Sequence, residues 1–262
     1  MNSIYFSVII PSYENIILFE KALLSVLKQD HIYYEVIVVD DSASDQIKEC
    51  LFKVNNDRIK YYKNVPPRGA VKNWNYGISL AEGDYVILLH HDESFIRKDY
   101  LRRCCECICK TDCEVLISNV FVDFNEEVKR SNEKSVWLKK IICNYFPDVL
   151  YLFNFIGPTA TVSVKRKFIK NFDESLVLMV DVDWYIKIIK GRSLGFIEEG
   201  GIYSIFGHES QISMNIDMEL VRKKDEMYLM GQRKYMGVAF WVRWRLLILF
   251  GRQSLIKKII WR

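Results

Sequence analysis

The sequence predicts an α/β fold in which a mostly parallel central sheet is flanked by helices. Short strand-like runs recur at 6–10, 35–39, 59–62 and 85–89, and the last of these is continuously apolar, as in a strand buried on both faces. Helical segments at 16–29, 45–53 and 71–80 separate these runs. Strands that alternate with helices form βαβ units, whose crossovers are right-handed by default.

The first half of the chain justifies these elements in order. The run at 6–10 is closed by Pro11, which ends a strand inside a sheet. In 16–29 the apolar residues recur at three- and four-residue spacing, which is typical of an amphipathic helix. The run at 35–39 ends on Asp40 and Asp41, and the helix at 71–80 precedes the strand that opens at Asp84.

The second half continues the pattern. We predict a helix at 98–110, strands at 114–119 (extending towards 123) and 194–198, a turn that leads into a strand at 156–164, and a further helix that begins near 179. The segment 125–140 is highly charged without a clear period, which predicts a surface excursion over the site. We expect one domain over 1–215, with halves 1–115 and 116–215, followed by a basic, amphipathic helical segment over 216–262.

Charge is unevenly distributed along the 262 residues, whose formal net charge is +4. Residues 227–262 contain eight Lys or Arg and no Asp or Glu, whereas residues 1–226 contain 29 basic and 33 acidic side chains. This argues against a body that binds nucleic acid. The basic tail, with aromatic residues and an apolar stripe, favours an anionic membrane surface as its partner, and a helix packed on the core is the alternative.

Seven cysteines include a cluster formed by Cys104, Cys105, Cys107, Cys109 and Cys113. Their odd number and the absence of a cleavable signal sequence argue against a disulfide framework. Zinc-finger spacing is missing, so we expect reduced thiols in a cytosolic protein rather than a zinc site. No uncharged apolar run reaches the ~18 residues that span a bilayer.

Polar clusters follow three of the predicted strands: 12–14, 40–41 and 90–93. The carboxyl ends of parallel strands meet at one edge of a sheet, and ligands bind at that edge in open α/β folds. A carboxylate beside an imidazole can hold a divalent cation against a diphosphate. Each cluster alone is also compatible with a turn or a helix cap.

The segments 8–13 (Val-Ile-Ile-Pro-Ser-Tyr), 38–42 (Val-Val-Asp-Asp-Ser) and 81–93 together resemble the signature of family 2 glycosyltransferases. The resemblance implies the GT-A fold and an inverting transfer from a nucleotide sugar. It also implies that Asp40 or Asp41 accepts a hydrogen bond from the imide of uracil or thymine, since a carboxylate is an acceptor only. The other residues that it assigns to the nucleotide site are Pro11, Tyr13, Glu14, Arg68, Lys72, Asn73 and His91.

The family's metal motif, Asp-x-Asp, reads His90-His91-Asp92 in this chain. The resemblance implies that Asp92 is a metal ligand and that His90 replaces the first aspartate. The motif implies a divalent cation, and we expect Mn²⁺ or Mg²⁺. Imidazole suits Mn²⁺ better than Mg²⁺. His208 is the third predicted ligand, because the segment around it resembles the family's late histidine segment.

Residues 179–187 resemble the acidic segment in which the family carries its catalytic base at the start of a helix. The resemblance implies that Asp181 is the base and Asp183 a supporting carboxylate. An inverting transfer needs one carboxylate that takes the proton from the attacking hydroxyl. The alternative is that both aspartates only stabilise the helix N-terminus.

These expectations define an inverting glycosyltransferase that uses a nucleotide sugar, with a UDP-sugar as the first candidate. Residues 1–115 would bind the nucleotide and 116–215 the acceptor, for which we expect a lipid-diphosphate-linked saccharide of O-antigen or capsule synthesis. The protein would be cytoplasmic and peripheral at the inner face of the cell membrane. A non-catalytic scaffold that binds nucleotide sugars is the main alternative. A nucleotidyltransferase is weaker, because the sequence lacks a Gly-rich loop with Lys.

Overall fold

A computed structural model describes residues 3–124, 128–131, 136–206 and 217–232 of the chain. Within these ranges nine strands form one sheet. The strands are β1 (Phe6–Ser12), β2 (Tyr34–Asp40), β3 (Ile59–Lys63), β4 (Tyr85–Leu88), β5 (Glu93–Phe95), β6 (Val115–Phe124), β7 (Val128–Ser131), β8 (Val162–Lys165) and β9 (Leu194–Phe206). The helices are α1 (Ile16–Leu27), α2 (Gln46–Val54), α3 (Ala70–Ser79), α4 (Tyr100–Thr111), α5 (Val136–Tyr145), α6 (Val180–Ile189) and α7 (Met218–Gly231).

The sheet is mostly parallel. Its order is β3-β2-β1-β4-β8-β6-β9-β5, with β7 paired to β6. Strands β1, β2, β3, β4, β6 and β9 run in one direction, and β5, β7 and β8 run in the other. In the register of β1 and β2, Ser12 lies opposite Asp40, so both strands end at the same level of the sheet.

The core lies on both faces of this sheet, because side chains along a strand alternate between the faces. On β1, Val8 and Ile10 pack in the cluster that contains Phe19 of α1 and Leu101 of α4. Ile9 packs on the opposite face, in the cluster that contains α3 and α6. All seven residues of β1 and of β2 are buried, as the apolar runs predict.

The α/β fold and the first four strands are confirmed. The turn into a strand predicted at 156–164 is also confirmed: Gly157, with φ of +103°, and Pro158 form the turn before β8. Other regions differ from the prediction. The strand expected at 194–198 continues to Phe206 because its second half pairs with β5 and β6. The short strand β5 was not predicted.

The expected surface excursion over 125–140 is wrong for its last residues. They begin α5, whose inner face packs Ile142 and Cys143 into the core. Lys139 is only 1% exposed, and its ammonium donates to the side-chain oxygen of Asn119 at 3.0 Å. Burial lowers the pKa of Lys139 to about 8. A charged composition therefore concealed a helix with one buried face.

The seven cysteines are free thiols, as expected. None of the described helices is long and apolar enough to cross a membrane. Helix α7 lies within the segment predicted to be helical over 216–262, and the basic tail over 233–262 lies outside the described residues. The boundaries at 115/116 and 215/216 stay predictions.

Candidate active site

The ends of β1, β2 and β4 open into a cavity of about 510 Å³. Helix α3 and the loop before it form its other wall. Eleven residues line the cavity: Pro11, Ser12, Tyr13, Asp41, Pro67, Gly69, Ala70, Asn73, Trp74, His90 and His91. The three polar clusters of the sequence thus do meet at one sheet edge, and five of the predicted nucleotide residues (Pro11, Tyr13, Asp41, Asn73 and His91) line one space.

Asp41 organises the wall that faces β1. One of its carboxylate oxygens accepts hydrogen bonds from the Asn64 side chain at 2.9 Å and the Arg68 backbone N–H at 2.7 Å. The other oxygen accepts from the Gly69 backbone N–H at 2.8 Å. A carboxylate has about four acceptor positions, so one is left for a ligand. Gly69 has φ of +86°, a conformation that favours glycine, so this turn depends on the residue.

Asp40 faces away from the cavity. Its oxygens accept from the Ser42 backbone N–H at 2.9 Å and from the Tyr61 hydroxyl at 2.8 Å, and Lys63 forms an ion pair with it at 3.3 Å. Asp40 is fully buried and does not line the cavity. Asp40 and Asp41 are the two residues that the sequence offers for recognition of the nucleotide base, and only Asp41 lines the cavity.

Glu14 does not line the cavity either. Its carboxylate accepts from the Ala43 backbone N–H at 2.7 Å and from the Ser44 hydroxyl at 2.9 Å, and these bonds lower its pKa. Glu14 therefore ties the loop after β1 to the loop after β2. Tyr13 is 54% exposed at the cavity mouth, where its ring is accessible to a base.

The three residues predicted around α3 differ in their placement. Asn73 is 2% exposed, and its amide group donates to the Val39 carbonyl and accepts from Asn64. It lines the cavity on the side formed by α3. Arg68 and Lys72 are exposed and do not line the cavity, and the Arg68 guanidinium lies 4.3 Å from the centre of the Tyr76 ring.

Trp74 connects the cavity to the second half of the chain. Its ring contacts His90 edge to face at 4.7 Å and Phe172 at 5.3 Å between ring centres. Phe172 in turn stacks on Trp184 of α6 at 4.6 Å. Burial lowers the pKa of His90 to about 4, so its imidazole is neutral at neutral pH.

Three carboxyl groups converge where β4 ends: Asp92, Glu93 and Asp181. Burial and the charge of Asp92 raise the pKa of Asp181 to about 6. Burial, Asp92 and Asp181 raise the pKa of Glu93. One oxygen of Asp181 is buried without a hydrogen-bond partner in the described part of the chain. Asp92 and Glu93 also line a smaller cavity of about 170 Å³, together with Lys21 of α1.

Asp183 is held away from this convergence. It is 1% exposed, accepts from the Tyr151 hydroxyl at 2.9 Å and forms an ion pair with Lys187 at 2.6 Å. Asp181 and Asp183 therefore differ in role: the first has an unpaired buried oxygen, and the second attaches α6 to the neighbouring 3-10 helix Pro147–Tyr151.

Of the predicted metal ligands, Asp92 and His90 lie at this sheet edge, and His208 lies outside the described residues. Among the described residues, no three His, Cys, Asp or Glu side chains are arranged to hold a metal ion. No role was predicted from the sequence for Trp74 or Glu93, although Trp74 follows the predicted Asn73 and Glu93 follows the predicted Asp92. No sequence signal pointed to Asn64.

The fold and this edge define an α/β protein with a cavity and a group of carboxyl side chains at the carboxyl ends of its parallel strands. The chain matches the family described as "Glycosyl transferase family 2" over residues 7–172, which is more than half of its length, and it belongs to that family. Its fold is that of GT-A glycosyltransferases: Staphylococcus aureus TarS 1-349, solved with UDP-GlcNAc, matches with a TM-score of 0.67 at 19% identity over 98% of this chain and 78% of that one.

One curated relative and one further solved structure are also similar to this chain. An Escherichia coli protein named UDP-Glc:alpha-D-GlcNAc-diphosphoundecaprenol beta-1,3-glucosyltransferase WfgD is 26% identical, with 86% of each chain covered. The mannosyltransferase PcManGT from Pyrobaculum calidifontis, solved with GDP-Man and Mn²⁺, matches with a TM-score of 0.59 at 16% identity over 81% of this chain and 59% of that one. The chain spans about a third of the length of other curated relatives that it matches.

Proposed function

We propose that this protein is an inverting glycosyltransferase that moves a sugar from a UDP-sugar to a lipid-diphosphate-linked saccharide in surface-polysaccharide synthesis. The observation that carries the proposal is the adjacency of a nucleotide-sized cavity and a carboxylate centre at one sheet edge. The E. coli relative is named for a UDP-glucose donor and a diphosphoundecaprenol acceptor, and it matches this chain over most of both lengths.

The donor nucleotide fits the larger cavity. Tyr13 at its mouth offers an aromatic face, and Asp41 retains one acceptor position for the imide N–H of uracil. The buried amide of Asn73 and the ring of Trp74 close the opposite wall. The diphosphate would then extend along His90 and His91 towards Asp92. Arg68 and Lys72, exposed beside the cavity, supply positive charge near its entrance, and Glu14 acts through the loop that it ties.

Asp181 is the proposed base. Its raised pKa, about 6, places the carboxylate near the basicity that is useful at neutral pH, and its unpaired buried oxygen can accept a proton from the attacking hydroxyl. The new bond forms between the hydroxyl oxygen of the acceptor and the anomeric carbon of the donor sugar. The bond between that carbon and the nucleotide diphosphate breaks on the opposite face. The anomeric configuration inverts. Asp183 supports Asp181 by fixing α6.

The donor set fits a divalent cation that is completed by the substrate. Mg²⁺ and similar cations are commonly held by one or two carboxylates together with substrate phosphates, so a full protein cage is not required. Asp92, with His90 and with His208 as a further candidate, would hold Mn²⁺ or Mg²⁺ here. The cation would neutralise the charge of the leaving diphosphate. The charge of Asp92 contributes to the raised pKa of Asp181, and the charges of Asp92 and Asp181 contribute to the raised pKa of Glu93, which also favours a cation nearby.

The acceptor side and the cell location are part of the same proposal. A lipid-linked acceptor requires the protein to work at a membrane surface, as a peripheral protein at the cytoplasmic face. The basic composition of 227–262 supports contact with anionic lipid. The transferase names of the relatives and the unpaired carboxylate favour turnover over a non-catalytic scaffold.

The experiment is nucleotide release from UDP-, GDP- and dTDP-sugars with Mn²⁺ or with EDTA, using a synthetic GlcNAc-diphospho-lipid acceptor. We expect UDP release that needs both acceptor and metal. Binding of UDP-sugars without release under any condition would favour the scaffold and would contradict the proposal.

A further inference from the structure

Helix α7 places a carboxylate against the start of α6. Asp225 is 3% exposed, and one of its oxygens accepts hydrogen bonds from three consecutive backbone N–H groups: Val177 at 3.1 Å, Leu178 at 2.8 Å and Met179 at 2.9 Å. Met179 is the residue that caps α6, and its own side chain makes no capping bond. The donors that precede α6 are thus satisfied from another helix.

The hydrogen bonds from 177–179 to the Asp225 carboxylate are expected to be strong, because their acceptor is charged. Met179 supplies one of the first N–H groups of α6, which lack intrahelical partners and carry partial positive charge, so a carboxylate is stabilised there. The Val177 and Leu178 N–H groups belong to the segment that precedes the helix. Hydrogen bonds to charged acceptors are roughly twice as strong as neutral ones. Among the ion pairs of the described residues none involves Asp225, so these N–H groups are the partners that compensate its charge.

Asp181 lies two residues beyond Met179, in the first turn of α6. We propose that Asp225 is a positioning residue for Asp181: by holding 177–179 it fixes where α6 begins and where the base points. This inference rests on the proposed function. Asp225 lies beyond the family match, which ends at residue 172.

Other contacts of α7 provide a matched control. The Tyr228 hydroxyl donates to the Asp173 carboxylate at 3.3 Å, and Arg222 donates to the Tyr151 carbonyl at 3.3 Å. Both hydrogen bonds attach α7 to the body of the protein, and neither goes to residues 177–179. Removal of the Tyr228 hydroxyl is therefore expected to weaken the docking of α7 while the bonds from 177–179 to Asp225 remain.

The test compares Asp225→Ala, Asp225→Asn and Tyr228→Phe in the full chain. For Asp225→Ala we expect kcat to fall tenfold or more, because a displacement of about 1 Å can cost up to about 100-fold, while the donor KM stays within about twofold. Asp225→Asn keeps an acceptor oxygen but loses the charge, so its kcat should lie between those of Asp225→Ala and the wild type. Tyr228→Phe should resemble the wild type. Equal kcat in Asp225→Ala and the wild type, or equal losses in Asp225→Ala and Tyr228→Phe, would overturn the inference.

Amide hydrogen exchange gives a readout that does not depend on activity. We expect Asp225→Ala, and not Tyr228→Phe, to lose protection at 177–183. Unchanged protection there would overturn the inference even if no donor supported transfer. If the wild type shows no transfer but the exchange result is as expected, the proposed function and the role of Asp181 in it are contradicted. If protection at 177–183 falls equally in Asp225→Ala and Tyr228→Phe, α7 has undocked generally, and the inference alone is overturned. Asp225→Asn keeps the comparison available if the alanine variant does not fold.

Discussion

Replacement of Asp41 by Asn tests how the nucleotide base is recognised. The carboxylate accepts three hydrogen bonds from the loop 64–69 and has one acceptor position left. Asparagine keeps one acceptor oxygen and presents an NH₂ group in place of the other, so a loop donor and the imide of uracil compete for one oxygen.

The size of the effect follows from these bonds. A hydrogen bond to a charged group contributes about 1.5–3 kcal/mol, so we expect UDP affinity to fall roughly 10- to 100-fold. Stability should fall by about 1–3 kcal/mol, towards the lower end because Arg68 and Gly69 are exposed and water can replace the lost partner. Cytosine offers an acceptor at the same ring position, so Asp41→Asn should also reduce the preference for UDP over CDP.

Calorimetric titration with UDP and CDP measures both effects, and Asp40→Asn is the control. Asp40 is the adjacent residue and equally buried, but its bonds go to Ser42, Tyr61 and Lys63. The control should lose stability and keep the UDP-to-CDP ratio. An unchanged ratio in Asp41→Asn, or the same change in both variants, would refute base recognition by Asp41.

Further predictions concern the carboxylate centre and α6. Because Asp181 must be ionised to accept a proton, kcat should fall as the pH is lowered through its pKa; this acid limb lies at about 6 or below, since a bound cation lowers the value. A basic limb in place of an acid limb would contradict this role. Lys187→Ala leaves Asp183 buried without its cation and should lower the free energy of unfolding by about 3–5 kcal/mol in urea titrations. Tyr151→Phe removes one hydrogen bond to the same charged group and should lower it by about 1.5–3 kcal/mol. Unchanged stability in both variants would contradict the structural role of Asp183. EDTA should abolish transfer, and Mn²⁺ should restore it; transfer that persists in EDTA would remove Asp92 as a metal ligand.

The sequence could predict the sheet edge because each strand is a local pattern and parallel strands end together. Strands β1 and β2 end at Ser12 and Asp40, which lie opposite each other in the register. His90 follows the end of β4 by two residues and lines the same cavity as Ser12, so these ends do lie at one edge. Segments with a charged surface and a buried face were harder. In α5, Lys139 stands at a buried position, so its charge hid the helical pattern.

Roles within the site depended on contacts between distant segments. Asp40 and Asp41 are identical in type, and only the partners from β3 and the loop 64–69 distinguish them. The same holds for Asp181 and Asp183, which Tyr151 and Lys187 separate into an unpaired and a paired carboxylate. Asp225 meets α6 across more than 40 residues of chain, and no local pattern encodes such a contact.

In the proposed reaction, Asp181 takes the proton from the acceptor hydroxyl. The most direct measurement is single-turnover transfer from a UDP-sugar by the wild type and by Asp181→Asn, with UDP affinity measured on the same samples. For Asp181→Asn we expect a loss of at least 100-fold in the transfer rate, within the usual range for general-base catalysis, with UDP affinity within about threefold of the wild type. Transfer by Asp181→Asn at a rate close to that of the wild type would contradict this role of Asp181.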